Sequence, residues 1–313
     1  MNLEVSRYTQ EDKSEWDAFI RGSRNGTFLF LRDYMDYHAD RFPDFSLMVR
    51  RDDGSLLAVM PATRKDRILS SHGGLTYGGL VYDDKMKTEL LLNVVDEIRD
   101  FLHAHEISRL VYKVIPHIYH RIPSEEDLYA LFRNNAVLIR RDVSSAVRLK
   151  DRPMLSKGRR YSLKQAERNN VVIKSSTDFK SFMELEAETL EANYQVTPVH
   201  SGGEMTLLAN RFPDNIKLHV AHHESRLVGG VITYETERVV HAQYIGANAE
   251  GKEVGALDLI INSLIESAAE KDYFDFGIST EKEGRFLNSG LIANKESFGA
   301  RAIVYDTYEL ELG

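Results

Sequence analysis

NIKLHVAHHESRLVGGVITYE, residues 215–235, reads as strand, tight turn and strand: short apolar runs interrupted by the polar pair Glu224-Ser225. The tetrapeptide RFPD precedes it at Arg211–Asp214, and the same tetrapeptide stands at Arg41–Asp44. Behind that first RFPD comes FSLMVRRDDGSLLAVMPATR, residues 45–64, which follows the same plan. Leu47 and Val49 answer Leu218 and Val220; Asp53-Gly54 answers Glu224-Ser225; Leu56 and Leu57 answer Leu227 and Val228. A repeated tetrapeptide carries little weight alone. The shared plan behind it carries the fold.

The likeness extends outward. Ile68-Leu69 and Val239-Val240 each open another strand, followed by SHGGLTYGGL (71–80) and HAQYIGANAEGKEVGA (241–256). An amphipathic helix comes next in each copy. Leu257, Ile260, Ile261, Leu264, Ile265 and Ala268 keep helical spacing, as do Leu91, Val94, Val95, Ile98, Phe101 and Leu102. Each helix gives way to a short strand, RLVYKVIP (109–116) and YFDFGIS (273–279), and helical text precedes each RFPD. A helix between neighbouring strands implies a parallel pair inside an otherwise antiparallel sheet. The fold class is therefore α/β with mixed sheets, two domains related by internal duplication. The basic, proline-containing segment around 149–156 places the boundary, giving domains at about 1–150 and 151–313.

Composition agrees with a globular protein that buries a core: 313 residues, 42% hydrophobic and 28% charged. No apolar run approaches the ~18–20 residues needed to span a bilayer. The acidic start MNLEVSRYTQEDKSEW is unlike a secretory leader. There is no cysteine, hence no thiol nucleophile and no thiolate metal site. These features set the expectation of a cytoplasmic enzyme or binding protein. The net charge of −8 is unevenly spread, with eleven Lys/Arg against three Asp/Glu between Arg140 and Lys174. Such a strip either attracts an anionic ligand or is a solvated helix face.

A strand, a glycine turn and a helix N-terminus in this order resemble the GNAT acyltransferase fold. Two such units in tandem resemble the Fem-type (FemAB-like) transferases of peptidoglycan synthesis and their relatives in surface-polysaccharide gene clusters. RRYSLKQAERNNVVI (159–173) looks like the family's basic helix leading into a strand. FDFGIS followed by LNSGLIANKESFGAR (274–301) resembles its Asp-Phe-Gly strand and closing Lys-x-x-Phe-Gly element. The donor loop departs from the usual pattern: Lys252-Glu253-Val254-Gly255-Ala256 is one residue short. The last helix also lacks the tyrosine that often protonates the departing thiolate. The resemblance implies an N-acyltransferase acting on an amino group of a cell-surface glycan or cell-wall precursor, small or lipid-linked. Its co-substrate would be acyl-CoA (acetyl-CoA), or aminoacyl-tRNA in the alternative reading, which the net acidity disfavours. A non-catalytic glycan- or nucleotide-binding module is the other alternative.

Acyl transfer needs a phosphate anchor, a deprotonated amine and a stabilised oxyanion. Gly251, Lys252, Gly255 and Ala256 precede a helix, where small residues and free N–H groups suit a donor phosphate; the plain alternative is a loop that turns the chain. Lys295 is the candidate for stabilising developing negative charge, a role the resemblance assigns to a lysine in this element. Asp275, between Phe274 and Phe276, is either a general base or a structural acid. His241 is either a proton acceptor near neutral pH or a hydrogen-bonded core residue. Strand alternation puts it on one face with Gln243, and Tyr244, a substrate-binding candidate, on the other. In the first copy His72 and Tyr77 sit among four glycines, and the resemblance places an acceptor cleft there, with a bulged strand as the alternative. Arg159, Arg160 and Lys164, within two helical turns, can grip a diphosphate. His117-x-x-His120 and His222-His223 lack further ligands, so no metal site is expected.

Overall fold

A computed structural model describes residues 2–194 and 197–312. In chain order the first elements are β1 (Leu3–Arg7), α1 (Lys13–Gly22), α2 (Arg32–Met35), β2 (Leu47–Arg51), β3 (Leu56–Met60), β4 (Thr63–Lys65), β5 (Ile68–Ser70) and β6 (Val81–Tyr82). Then come α3 (Thr88–Ala104), β7 (Arg109–Lys113), α4 (Glu126–Arg133), β8 (Val137–Arg148), α5 (Lys157–Arg168), β9 (Val172–Ser176), α6 (Phe179–Tyr194) and α7 (Gly202–Arg211). The rest are β10 (Ile216–His223), β11 (Arg226–Glu235), β12 (Val239–Ala247), α8 (Ala249–Val254), α9 (Ala256–Ser267), β13 (Tyr273–Ile278), β14 (Thr280–Glu281), β15 (Phe286–Leu287), α10 (Ser289–Glu296) and β16 (Arg301–Glu311).

The chain forms two compact units that are not contiguous in sequence. The first runs to Val143 and also takes 280–286 and the chain from Val304 on; the second comprises Ser144–Ser279 and Leu287–Ile303. A cut at 150/151 therefore describes neither unit in full. The change of unit falls inside β8, ahead of the proline-containing segment, because the end of β8 pairs with β13 while the end of β16 pairs with β7.

In the first unit, β1-β2-β3-β6 form an antiparallel sheet, and β4-β5-β7-β16 form a second row in which β5 and β7 run parallel. The hairpin read at 45–64 is β2–β3, turning at Gly54 with a φ of 81° that suits glycine. Leu47, Val49 and Leu57 pack with Leu91, Val94, Ile98 and Leu102 of α3, the apolar stripe of the sequence. Each fully buried aliphatic side chain here contributes about 1.5–3 kcal/mol.

The second unit carries the sheet β8-β13-β12-β11-β10-β9, antiparallel except for β12 with β13. The hairpin at 215–235 is β10–β11, and its two-residue turn, Glu224-Ser225, has φ of 49° and 67°. Two positive φ angles mark the turn geometry whose twist matches that of paired strands. Helix α9 buries Ile260, Ile261, Leu264 and Ile265 against Val228, Val231, Val240, Phe274 and Phe276.

Candidate active site

The parallel pairing of β12 with β13 lasts for three residue pairs, Val239↔Tyr273, Val240↔Phe274 and His241↔Asp275. Beyond it β12 continues to Ala247 and β13 to Ile278 without pairing to each other. The two strands splay, and the last pair before the splay is the pair of titratable residues. His241 Nδ1 lies 2.9 Å from Asp275 Oδ2, while Ser144 Oγ donates to Asp275 Oδ1 at 2.6 Å. Asp275 is fully buried, so its carboxylate is held by these bonds and by the Gly277 backbone N–H at 3.2 Å. Fixing one ring nitrogen on a buried carboxylate fixes the orientation of the other. An imidazole so oriented can take a proton at Nε2.

Lys295, on α10, is also buried. Its Nζ donates to the carbonyls of Gly277 and Ile278 at 2.8 Å each, which leaves the third ammonium hydrogen for another acceptor. Burial pushes its pKa down to about 8, against the upward pull of Asp275. Gly277, with φ of 77°, turns the chain so that both carbonyls point at the ammonium.

Between the diverging strands lies a cavity of about 340 Å³, lined by Ile245 and Phe276 from the strands, Gly251, Lys252, Gly255 and Asp258 from the α8–α9 corner, and Asn294 and Lys295 from α10. Its size lies in the range of small-molecule and cofactor sites, about 300–1,000 Å³. The residues read as a loop before a helix are a helix themselves. Asn248 caps α8 by accepting from the Gly251 N–H at 2.8 Å, and Gly255, with φ of 77°, ends α8 and starts α9. Gly251 is required by its neighbours: a side chain there would collide with the Val228 carbonyl. Ala256, the first residue of α9, is buried in the core.

One placement on β12 differs from simple alternation. Ile232 opposes Tyr244 and Thr233 opposes Ala242, so Gln243 is an extra residue, a β-bulge. Tyr234 opposes His241, and Ile232 and Tyr234 share a face, so His241 and Tyr244 share it as well. The Tyr244 hydroxyl is bonded on that face to His200 Nδ1 at 2.5 Å.

Arg159 does not stand free for a diphosphate. It is buried, ion-paired with Asp258, bonded through Nε and Nη2 to Ser297 Oγ at 3.0 and 2.9 Å, and laid over the Phe298 ring. It clamps α5 to α9 and the end of α10. Arg160 and Lys164 are exposed on the outer side of α5, in line with exposed Lys157 and Arg168.

The first-copy candidates are core residues of the other unit. His72 is buried with a φ of 59°, and burial together with His38 pushes its imidazole pKa down to about 3. Tyr77 is buried, donates to Thr27 Oγ1 at 3.3 Å and packs on Tyr119. The glycines around them admit the protein's own chain. A side chain at Gly78 would meet the Ser71 carbonyl, and one at Gly79 the Tyr112 ring. Strand β5 ends at Ser70, so 71–80 is a loop that leads into β6, which pairs with β3.

Sequence reasoning passed over Ser144, His200 and Glu186. Glu186 had a signal: it follows Phe179 by seven and Phe182 by four, an acid on the apolar stripe of α6. Ser144 and His200 had none, since their partners lie 131 and 44 residues away. Among the described residues no group of three or more His, Asp or Glu can hold a metal ion, and no helix is long and apolar enough to cross a membrane.

Residues 150–284 match the family described as acetyltransferase (GNAT) domain. No curated protein matches the chain by sequence. Solved structures do match by fold. FemX superposes with a TM-score of 0.68 at 12% identity, over 97% of this chain and 96% of that one. The C-terminal domain of a putative lysylphosphatidylglycerol synthetase from Agrobacterium fabrum gives 0.62 at 11% identity, over 96% and 92%. A tandem GNAT protein from the clavulanic acid biosynthesis pathway gives 0.53 at 12% identity, over 100% and 99%. At such identity these likenesses establish the fold: two GNAT-like units in one chain.

Proposed function

We propose that this chain, a GNAT-fold protein of Fem-type tandem build, is an N-acyltransferase that moves an acyl group from acyl-CoA to an amine of a cell-surface glycan or cell-wall precursor. The observation that carries the reading is the His241–Asp275 pair at the splay of β12 and β13, with buried Lys295 facing the cavity that the splay opens.

In this reading the acyl-CoA arm lies in the cavity with its phosphates toward Lys252 and the first turn of α9. The acceptor ammonium gives a proton to His241 Nε2, and Asp275 stabilises the resulting imidazolium. The free amine attacks the thioester carbonyl. The third N–H of Lys295, a buried side chain, meets the oxyanion through a charge-assisted hydrogen bond. As the tetrahedral intermediate collapses the C–S bond breaks and the thiolate takes the proton that the attacking nitrogen sheds, while His241 releases the first proton to solvent. No covalent enzyme intermediate is needed, which suits a chain without cysteine.

A second reading, aminoacyl-tRNA as donor, is favoured by one observation. The exposed cations Lys157, Arg160, Lys164 and Arg168 line the outer side of α5, the helix that Arg159 fastens to the cavity wall at Asp258. The first experiment is thermal melting with rising CoA and acetyl-CoA. A ligand at about 100 times its Kd adds about 2.7 kcal/mol, visible as a raised Tm. A saturating shift supports the acyl-CoA donor. No shift, with tRNA binding that weakens steeply with salt, turns the assignment to the second reading.

A further inference from the structure

Among the described residues, none bonds the inner carboxylate oxygen of Glu186. The side chain is 5% exposed, on the sheet-facing side of α6, and its Oε2 is buried without a hydrogen bond. An ionised carboxylate buried without a partner costs several kcal/mol, so such a group persists either protonated or because something cationic comes to it. Lys252 is the cation that lowers its pKa, and burial outweighs it, pushing the carboxyl up to about 7.

The position is built. Oε2 occupies the space where a side chain of residue 246 would stand, and residue 246 is glycine. Gly246 opposes Gly230, two residues along β11 from Ile232, so it lies on the face that carries Tyr244 and His241. Ile245, which lines the donor cavity, points to the other face. Strand β12 thus presents the donor cavity on one side and, on the other, Glu186 at Gly246, the Tyr244–His200 pair, and His241 with Asp275.

We propose that Glu186 is the acceptor-recognition residue: a carboxylate over Gly246 that draws a cationic amine, as its ammonium, onto the His241 face of β12. The substrate class is then a primary ammonium whose charge is read before its proton is removed, and uncharged hydroxyl acceptors are refused. This inference rests on the acyltransferase reading above.

The test uses the whole chain, as wild type and Glu186→Gln, which removes the charge at constant shape. Melting is followed with propylammonium chloride against 1-propanol, at matched ionic strength and pH 8, and separately with CoA. The expected result is a saturable propylammonium shift in wild type, absent with 1-propanol and lost in Glu186→Gln, with the CoA shift equal in both proteins. An equal propylammonium shift in both proteins, or none in wild type, overturns the assignment. If CoA still shifts both proteins in that case, the failure is confined to Glu186. Absence of a CoA shift from both is the separate failure of the donor reading.

Discussion

At the scale of single residues, the three candidates named for catalysis from sequence, His241, Asp275 and Lys295, stand together in one unit. What brings them together is not visible in any one motif. His241 and Asp275 are 34 positions apart and meet because β12 and β13 run parallel for three residue pairs before separating. Replacing His241 with Ala should lower turnover about 10²–10⁴-fold, the usual worth of a positioned base, with Tm moved by only a few degrees. Asp275→Asn should cost activity too, because an amide no longer stabilises the imidazolium; melting scans show whether the loss is chemical or structural. Lys295 titrates at about 8, and its proposed role needs the proton. Rate should therefore fall as pH rises through 8, and Lys295→Arg should remove that limb from the pH–rate profile.

Arg159 teaches the opposite lesson at the same scale. Its place in a basic run suggested a ligand grip, yet its guanidinium is consumed by Asp258, Ser297 and the Phe298 ring. Charge in a sequence does not say whether its partner is a ligand or another part of the chain. Arg159→Ala should lower stability by about 3–5 kcal/mol, since it strands Asp258 half-buried. The check is the denaturant midpoint.

Among elements, periodicity was the dependable guide. Both hairpins, helices α3 and α9 and the parallel strand after α9 were legible because burial imposes periods of 2 and 3.6 on the apolar residues. The bulge at Gln243 was not legible, because nothing in HAQYIG distinguishes an extra residue from an ordinary one. It reverses the strand's faces, so His241 and Tyr244 come together. Because Gln243 is the extra residue, deleting it should leave Ile232 opposite Tyr244 and Thr233 opposite Ala242, keep His241 beside Asp275 and retain activity, with secondary-structure content by circular dichroism near that of wild type. The α8–α9 corner was read as a loop because a glycine-rich stretch of six residues looks like one. Gly255 decides it, since its left-handed backbone both ends one helix and starts the next.

For the whole molecule, pH dependence follows from the buried ionisable groups. Glu186 titrates at about 7 in the folded chain against an ordinary 4.5, so the native state holds its proton longer than the unfolded state does. Stability from this group is therefore fully present below pH 4.5 and is lost as pH rises through 7, on the order of 3 kcal/mol in total. Asp127, raised to about 6 by burial, acts in the same direction at lower pH. His72, with its pKa depressed to about 3 against 6.5, opposes them: its contribution grows as pH rises from 3 to 6.5. Glu186→Gln should flatten the decline between pH 4.5 and 7 and raise Tm at pH 8; melting curves across that range test both statements. The duplication was legible in sequence. The division into units was only partly so, because β8 and β16 each change unit midway and pair with strands far off in the chain.

That exchange of strands has a consequence in time. The ribosome finishes β7, at Lys113, about 190 residues before it reaches the strand from Val304 on that pairs with it. At ordinary synthesis rates that interval is roughly 10–40 s. Throughout it the nascent first unit carries an open β7 edge while the second unit is still being made. The first unit is thus completed only after the intervening strands of the second have been made, and its folding in the cell is timed by translation of the segment from Val304 on.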